Sequence, residues 1–482
     1  MKSKILLLLF TLVSVVSHAQ EGQDSTVLTF EEAVKIALRN NITLLQQRNN
    51  LELSQMQKRS AFASMGPNVE LNASATQFNG NSFNQQQGRV INGVRDNVSG
   101  SLNANINLFN GFGRINSIRA SIAAFDAQQY FVERTAQDVI NNVATQYLQV
   151  LLDLELRRIA KENFDVQQAT LDQIKAFVEV GSRSQVDEYN QDALTKNSEL
   201  RYVQADIALT NDLATLTQTL LIDPFENYGV KRPDWDINAI GIQSTGLEEM
   251  LTVAKTNRAD YKRALKNEDA QRYGSMATRS LMSPSLVAFF NYGSGYNFQH
   301  NVPDSAVRTN RPLVQISPGV FGFGPETSET IVNPDIARPF SEQFRTNNVY
   351  KSYGLQLNIP LFRGLQNRTQ YVQQRVARDN ATLLAKQADF QLKNDVLRTV
   401  KNFEGVKKAY QVALDQLKAA ELAYQFESER YKLGVTNLVE YTTANRAYIQ
   451  AATDKAQAEY RLLFQKIQLD YALGTLKIED FK

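Results

Sequence analysis

Apolar side chains recur along this chain with two different periods, and each period is used twice. In Leu102-Asn103-Ala104-Asn105-Ile106-Asn107-Leu108 they alternate with asparagine. Val69–Thr76 and Tyr353–Ile359 alternate in the same way, and Leu286–Tyr292 does so less cleanly, because Val287 and Phe289 interrupt its polar face. A period of two separates side chains onto opposite faces of a strand, so four strands are predicted. The helical period dominates elsewhere. Val396, Val400, Phe403, Val406, Tyr410, Ala413, Leu417, Ala420 and Tyr424 step by threes and fours with a mean of 3.5. Such a seam predicts left-handed coiled-coil packing. Its mixed, small residues favour a curved helical wall over a two-stranded zipper. The surrounding stretch, Leu361 to Leu433-Gly434, holds no proline after Pro360 and one internal glycine beyond Gly364, Gly405. It reads as one helix of roughly 100 Å at 1.5 Å per residue. The chain then turns and runs back to Leu473-Gly474.

The same elements occur twice. Leu28-Thr29-Phe30-Glu31-Glu32-Ala33 and the helix after it match Thr245-Gly246-Leu247-Glu248-Glu249-Met250 at a shift of 217 residues, which also carries Pro67 onto Pro284. Leu108-Phe109-Asn110-Gly111 falls on Leu361-Phe362-Arg363-Gly364 at a shift of 253, as do Val180-Gly181 on Leu433-Gly434 and Leu220 on Leu473. The change of shift is a 36-residue insertion between the strands of the second half. Each half reads helix, strand, loop, strand, long helix, turn, long helix. The domain plan is a leader (1–19), a first repeat (20–230), a linker (231–245) and a second repeat (246–482).

The strands suit either a half-buried soluble sheet or a barrel with lipid outside and water inside. Their polar faces carry Asn, Gln, Ser and Thr rather than charge, which suits a wet lumen. The connections Gln77–Val98 and Asn297–Asn348 are long and polar, like the outer loops of membrane barrels. The second, with Pro303, Pro312, Pro318, Pro325, Pro334 and Pro339, is predicted to be irregular. Its Phe321-Gly322-Phe323-Gly324 suggests a loop folded over a mouth. Four strands cannot close a membrane barrel, and an open edge in lipid is forbidden, so the chain must oligomerise if they span. Two copies give eight strands and a filled interior, whereas three give twelve and room for a lumen.

Composition narrows the chemistry. Lys2 and Lys4, the apolar run Ile5–Val16 and Ser17-His18-Ala19 predict an export signal cleaved before Gln20. No later run is apolar enough for a membrane helix. There is no cysteine, and His18 and His300 are the only histidines, so Cys or His metal clusters and a Ser-His-Asp triad are excluded. A net charge of +2 argues against a nucleic-acid partner. No cofactor is implied. Paired carboxylates of a hydrolase find no pocket-like context here.

These fragments, in this order and duplicated, resemble the TolC-like outer-membrane efflux and secretion proteins over essentially the whole mature chain. The resemblance rests on Leu28–Ala33, Asn107–Gly111, Ile359–Gly364, Tyr431-Lys432-Leu433-Gly434-Val435 and Tyr471–Leu476. The leader ending Ala19-Gln20 is similar to those of Gram-negative Bacteroidota. The resemblance implies an α plus transmembrane-β fold: a homotrimer with a twelve-stranded β-barrel continuous with a twelve-helix periplasmic α-barrel. It implies an equatorial region holding Lys231–Thr245 with Pro233 and Trp235, though a lone tryptophan in a linker also reads as packing. The tips Val180-Gly181-Ser182 and Leu433-Gly434-Val435 would meet a periplasmic adaptor coupled to an inner-membrane pump. Asp187 and Glu440, with Asn190 and Thr443 three residues further on, would ring the entrance. The family's best-known member has an aspartate in place of Thr443, so this chain departs there. Like charges gathered on one axis raise pKa values and attract cations. Near a helix start, the same two acids also read as ordinary solvated residues favoured by the helix dipole, Asp187 above all. The function implied is a passive exit duct for small toxic compounds, or for exported peptides in a type I secretion system. The alternative is a periplasmic coiled-coil structural or binding protein without a membrane barrel.

Overall fold

The computed structural model describes residues 26–84, 89–233, 246–300, 305–332 and 338–476. The leader and most of the linker, Trp235 included, lie outside the described residues. The elements run β1 (Thr26–Leu28), α1 (Phe30–Asn40), α2 (Ile42–Ala63), β2 (Asn68–Asn84), β3 (Arg89–Phe109), α3 (Gly113–Glu179), α4 (Gln185–Leu220) and β4 (Tyr228–Val230). The second half runs α5 (Leu247–Asn257), α6 (Ala259–Arg279), β5 (Ser285–Gln299), β6 (Ser305–Asn310), β7 (Leu313–Ser317), β8 (Val320–Phe323), β9 (Thr327–Val332), β10 (Tyr350–Asn358), α7 (Gln366–Lys432) and α8 (Leu438–Leu473).

The duplication holds to the residue. A shift of 253 lays α3 on α7, 67 residues each, and α4 on α8, 36 residues each. A shift of 217 lays α1 on α5 and the first residue of β2 on the first of β5. The motif opening the first repeat is a capping box. Thr29 Oγ1 accepts from the Glu32 amide at 3.3 Å, and Glu32 accepts from the Thr29 amide at 3.0 Å. Two orphan donors of the first turn are satisfied reciprocally. Its counterpart at Gly246 has no side-chain cap.

Contacts divide the chain into two compact units, one of 1–55, 123–268 and 380–482, the other of 56–122 and 269–379. The first is helical. One core gathers α1, α3 and α4 around Val34, Ile140, Tyr147, Leu216 and Leu220. Another gathers α5, α7 and α8 around Met250, Leu392, Val396, Phe403 and Leu469. The predicted seam is seen along α7, where Val396, Val400, Phe403 and Ala413 are buried, and Val406, Tyr410, Leu417, Ala420 and Tyr424 are half-buried. Within this unit, buried Tyr147 ties α3 to the parallel β1–β4 pair, its hydroxyl donating to the carbonyls of Leu28 (2.9 Å) and Lys231 (2.6 Å).

The second unit holds one four-stranded antiparallel sheet in the order β10-β5-β3-β2. Two expectations need correction. The stretch Gln77–Val98 is a hairpin rather than a loop, because β2 runs 17 residues and β3 21, paired from Asn68↔Asn105 to Asn84↔Arg89. Its Asn, Ser and Gly content lowers strand propensity, but a neighbouring strand outweighs propensity. The insertion is not irregular either: β6 pairs β9 and, nested inside them, β7 pairs β8. Pro312, Pro318 and Pro325 stand between these strands, so no ladder donor is lost. The Phe321–Gly324 segment begins in β8 with both rings exposed.

Candidate channel wall and entrance

Register decides what the sheet can do. Paired residues share a face, so the ladders align Val69, Ala104, Phe290 and Tyr353, then Leu71, Leu102 and Tyr292, then Ile106, Ala288 and Leu355. The opposite face aligns Glu70, Asn103, Asn291 and Ser352, then Asn72 and Ser101, then Ser74 and Ser99, with Ser74 and Ser99 hydroxyls 2.8 Å apart. Apolar and polar positions on four separate strands therefore add into one apolar and one polar face. The apolar face is bare in the single chain, with Leu71 78% and Tyr353 80% exposed.

One of the residues that interrupt the polar alternation, Phe289, has a packing reason. Phe289 lies opposite Gly354, and its ring stands 3.0 Å from where a Gly354 Cβ would be. Tyr350 covers Gly293 in the same way. An aromatic ring laid over a cross-strand glycine restores the contact that the glycine lacks.

In the helical unit, both predicted tips end in the same motif. Gly181 and Gly434 take φ of 77° and 74°, the left-handed conformation natural to glycine. The Gly181 amide donates to Val178 (2.9 Å) and the Ser182 amide to Phe177 (2.8 Å). In the second copy Gly434 donates to Tyr431 (3.0 Å) and Val435 to Arg430 (2.9 Å). These paired bonds close the last helical carbonyls. Val180, Ser182, Leu433 and Val435 are exposed.

Asp187 and Glu440 occupy matching places, the third residue of α4 and α8. Each backbone amide donates to an N-cap side chain, Asp187 to Ser184 Oγ at 3.3 Å and Glu440 to Asn437 Oδ1 at 2.9 Å. The Glu440 carboxylate accepts from Thr436 Oγ1 and, at 3.5 Å, from Asn437 Nδ2. Glu440 is exposed and Asp187 half-exposed, so capping accounts for their local positions. Asn190 and Thr443 are exposed on the next turn, where Thr443 Oγ1 donates to the Val439 carbonyl (2.7 Å).

What joins the two tips is aromatic. Ile174 of α3 packs with Leu438 and Tyr441 of α8, flanked by Val178, Tyr424 and Tyr431. The Tyr431 and Tyr441 rings stack at 4.9 Å, Tyr424 and Tyr448 at 5.3 Å, and the Arg183 guanidinium lies 5.6 Å from the Tyr431 ring centre. Burial raises the Tyr424 phenol, and its contact with the Tyr441 hydroxyl (3.4 Å) adds to the shift. Tyr424/Tyr431 and Tyr441/Tyr448 are each spaced by seven residues, a signal present in the sequence. The first hairpin has Leu171, Val178, Glu188 and Thr195 at these places. It carries a buried amide cluster instead, in which Gln191 Nε2 donates to Gln167 Oε1 (2.8 Å) and Thr195 to the Gln167 carbonyl (3.2 Å).

Among the described residues, no helix is long and apolar enough to cross a membrane, and no group of His, Asp and Glu could hold a metal ion. The chain matches the outer membrane efflux protein family over residues 33–220 and 250–475. No curated protein matches it significantly. Its fold is similar to that of the outer membrane protein VceC of Vibrio cholerae, with a TM-score of 0.72 at 15% identity over 92% of this chain and 96% of that one. It is also similar to the CmeC outer membrane channel of Campylobacter jejuni (TM-score 0.70, 17% identity, 95% and 90% covered). The open-state MtrE outer membrane channel of Neisseria gonorrhoeae aligns with a TM-score of 0.70 at 17% identity over 92% and 88%. A duplicated hairpin with glycine tips, joined to an amphipathic sheet, accords with a match covering both repeats: the chain belongs to the outer membrane efflux protein family.

Proposed function

We propose that three copies of this chain join edge to edge, β10 of one to β2 of the next, and close a twelve-stranded barrel in the outer membrane. The observation that carries this reading is the sheet: one continuous apolar face, one polar face, and β2 and β10 as edges unpaired among the described residues. An unpaired backbone edge is costly in lipid and a bare apolar face is costly in water; neighbouring copies pair the edges, and lipid covers the face. The α3–α4 and α7–α8 hairpins of three copies supply twelve helices for a duct across the periplasm. Solutes pass down it without chemistry, driven by an inner-membrane pump that acts through a periplasmic adaptor. The adaptor meets the exposed tips at Val180-Gly181-Ser182 and Leu433-Gly434-Val435. Asp187 and Glu440, with Asn190 and Thr443 beside them, line the entrance. Small toxic compounds are the proposed cargo.

The test uses the absence of native cysteine. Ser74→Cys in β2, combined in turn with Ser352→Cys, Gln356→Cys and Asn358→Cys in β10, is oxidised in outer-membrane fractions. At least one pair should give a cross-linked trimer on denaturing gels. A mature chain that stays monomeric in detergent-free buffer, with no cross-linked pair, would instead support a periplasmic coiled-coil protein.

A further inference from the structure

β10 is shorter than its neighbour β5. It starts at Tyr350 opposite Gly293, whereas β5 continues, still paired with β3, to Gln299 opposite Arg95. Among the described residues, Ser294–Gln299 of β5 thus has no strand on the side that β10 occupies further down. A helical turn fills the place, formed by Phe340–Glu342 and continuing with wider winding over Gln343–Asn347. Gln343, 1% exposed, imitates the missing peptide: its Oε1 accepts from the Asn297 amide and its Nε2 donates to the Asn297 carbonyl, both at 3.2 Å. Asn348 Nδ2 donates to the Gly295 carbonyl at 2.8 Å, and Ser294 Oγ donates to the Phe344 carbonyl at 2.5 Å. Two side-chain amides thus satisfy backbone groups that would otherwise be orphaned.

The turn also chooses a face. Ser294, Tyr296 and Phe298 continue the period of Phe290 and Tyr292, so they belong to the apolar face. The Phe340 ring meets Tyr296 edge-on at 5.1 Å and stacks on Phe344 at 5.2 Å. Phe344 fills the space above Gly100, the residue paired with Ser294. Along this face the character changes from the first residue of β5 to its last. Leu286, Leu357, Ile106 and Leu355 come first, and rings follow at Tyr292, Tyr296, Phe340 and Phe344. Polar groups join the outer end, where Asp96 accepts from Gln77 (2.9 Å) and contacts His300 Nε2 (2.7 Å). Lys351 stands on the same face with its ammonium 5.7 Å from the Tyr292 ring centre. Aliphatic, then aromatic and cationic, then polar is the profile of a bilayer passing from hydrocarbon to headgroups.

We propose that the Phe340–Asn347 turn is a lipid anchor, seated on the outward face of the sheet and inserted among the outer-leaflet headgroups with Phe340 as its leading ring. It is continuous with the apolar face and extends that face beyond the end of β10. Its partner is the outer-leaflet lipid surface itself, with Lys351 facing the anionic groups there. The inference rests on the apolar face meeting lipid.

The test places a single tryptophan in the Trp235→Phe background, reconstituted in phosphatidylcholine vesicles. Phe340→Trp is the anchor probe, Phe344→Trp the second in case the first perturbs folding, and Leu355→Trp the mid-face control. Position 340 or 344 should lose emission to a headgroup nitroxide lipid and resist aqueous iodide. Position 355 should lose emission to lipid brominated along its acyl chains. Quenching of 340 and 344 by iodide alone, with 355 still quenched by brominated lipid, overturns the anchor and leaves the barrel standing. Iodide quenching at all three positions overturns both.

Discussion

Leu221 and Gly474 hold the same left-handed backbone, φ 53° and 72°, at the same point of the two repeats. Each ends its helix with the same pair of bonds. The Leu221 and Ile222 amides donate to Gln218 and Thr217 (both 3.2 Å), and the Gly474 and Thr475 amides to Tyr471 (3.2 Å) and Asp470 (2.9 Å). Glycine is required at 474 because a Cβ there would stand 2.8 Å from the Arg258 amide nitrogen. A left-handed non-glycine residue costs about 1–2 kcal/mol. Leu221→Gly should therefore stabilise the helical unit by about 1 kcal/mol, since Leu221 is 47% exposed and surrenders little burial. Gly474→Ala should destabilise it by more than that. Urea melts followed by helical circular dichroism in detergent check both signs.

Arg258, closing α5, is buried between two carboxylates. It donates to Asp260 at 2.9 and 2.5 Å and to Asp395 at 3.1 and 3.2 Å. Removing Arg258 leaves Asp260 and Asp395, 36% and 20% exposed, without their shared donor, and losing hydrogen bonds to charged groups costs about 1.5–3 kcal/mol. Arg258→Ala should fall in that range, and an unchanged melting midpoint would contradict it. Burial alone would raise the Asp260 carboxyl, but the hydrogen bond from Arg258 and the charges of Arg134 and Arg258 outweigh it and lower the pKa. The stabilisation from this lowered carboxyl is therefore present above the ordinary carboxylate range and lost as pH falls through it.

Asp153 has the opposite sign. It is 5% exposed on α3, and its carboxyl is pushed up to about 7, first by burial and then by Asp212 of α4, against a hydrogen bond from Gln149 (3.2 Å). The folded state holds this proton more tightly than the unfolded chain. Stability falls as pH rises from the ordinary carboxylate range through about 7. Asp153→Asn should flatten that slope and raise the denaturation midpoint above neutral pH. A wild-type midpoint independent of pH across this window, with Asp153→Asn unchanged, would remove the effect.

Glu440 has a capping role in the structure and an entrance role by proposal, and two substitutions separate them. Glu440→Gln keeps an acceptor for Thr436 and Asn437 while removing the charge. Glu440→Ala removes both and should cost about 0.5–1 kcal/mol. In planar bilayers, an entrance carboxylate predicts that both variants relieve block by divalent cations. Block identical to wild type in Glu440→Gln, with a stability loss confined to Glu440→Ala, would leave only the cap.

Much of this was legible in the chain. The shifts of 217 and 253 residues anticipated where α5, β5, α7 and α8 lie, because a duplicated sequence repeats its caps, turn glycines and periodicities together. The seam from Val396 to Tyr424 is a local periodicity that one helix displays by itself. Propensity was the poorer guide in Gln77–Val98 and in the insertion, where partner strands enforce extended backbone on residues with little preference for it.

The entrance was legible only as a place. Spacing located Asp187 and Glu440 beyond the tip glycines, but their hydrogen bonds to Ser184 and Asn437 depend on backbone geometry at the helix start. The stacking of Tyr431 on Tyr441 joins residues on opposite arms of a hairpin, and a one-dimensional pattern cannot say which rings will meet.

Sequence alone determined the two periods, the duplication and the glycine tips, because each is a property of backbone geometry over a few neighbouring residues. Tertiary structure decided the register that adds four alternations into one apolar face, the rings that cover Gly354 and Gly293, and the Gln343 turn that completes the β5 edge. These depend on distances between residues far apart in the chain, and such distances are set only when strands pair and side chains compete for the same space.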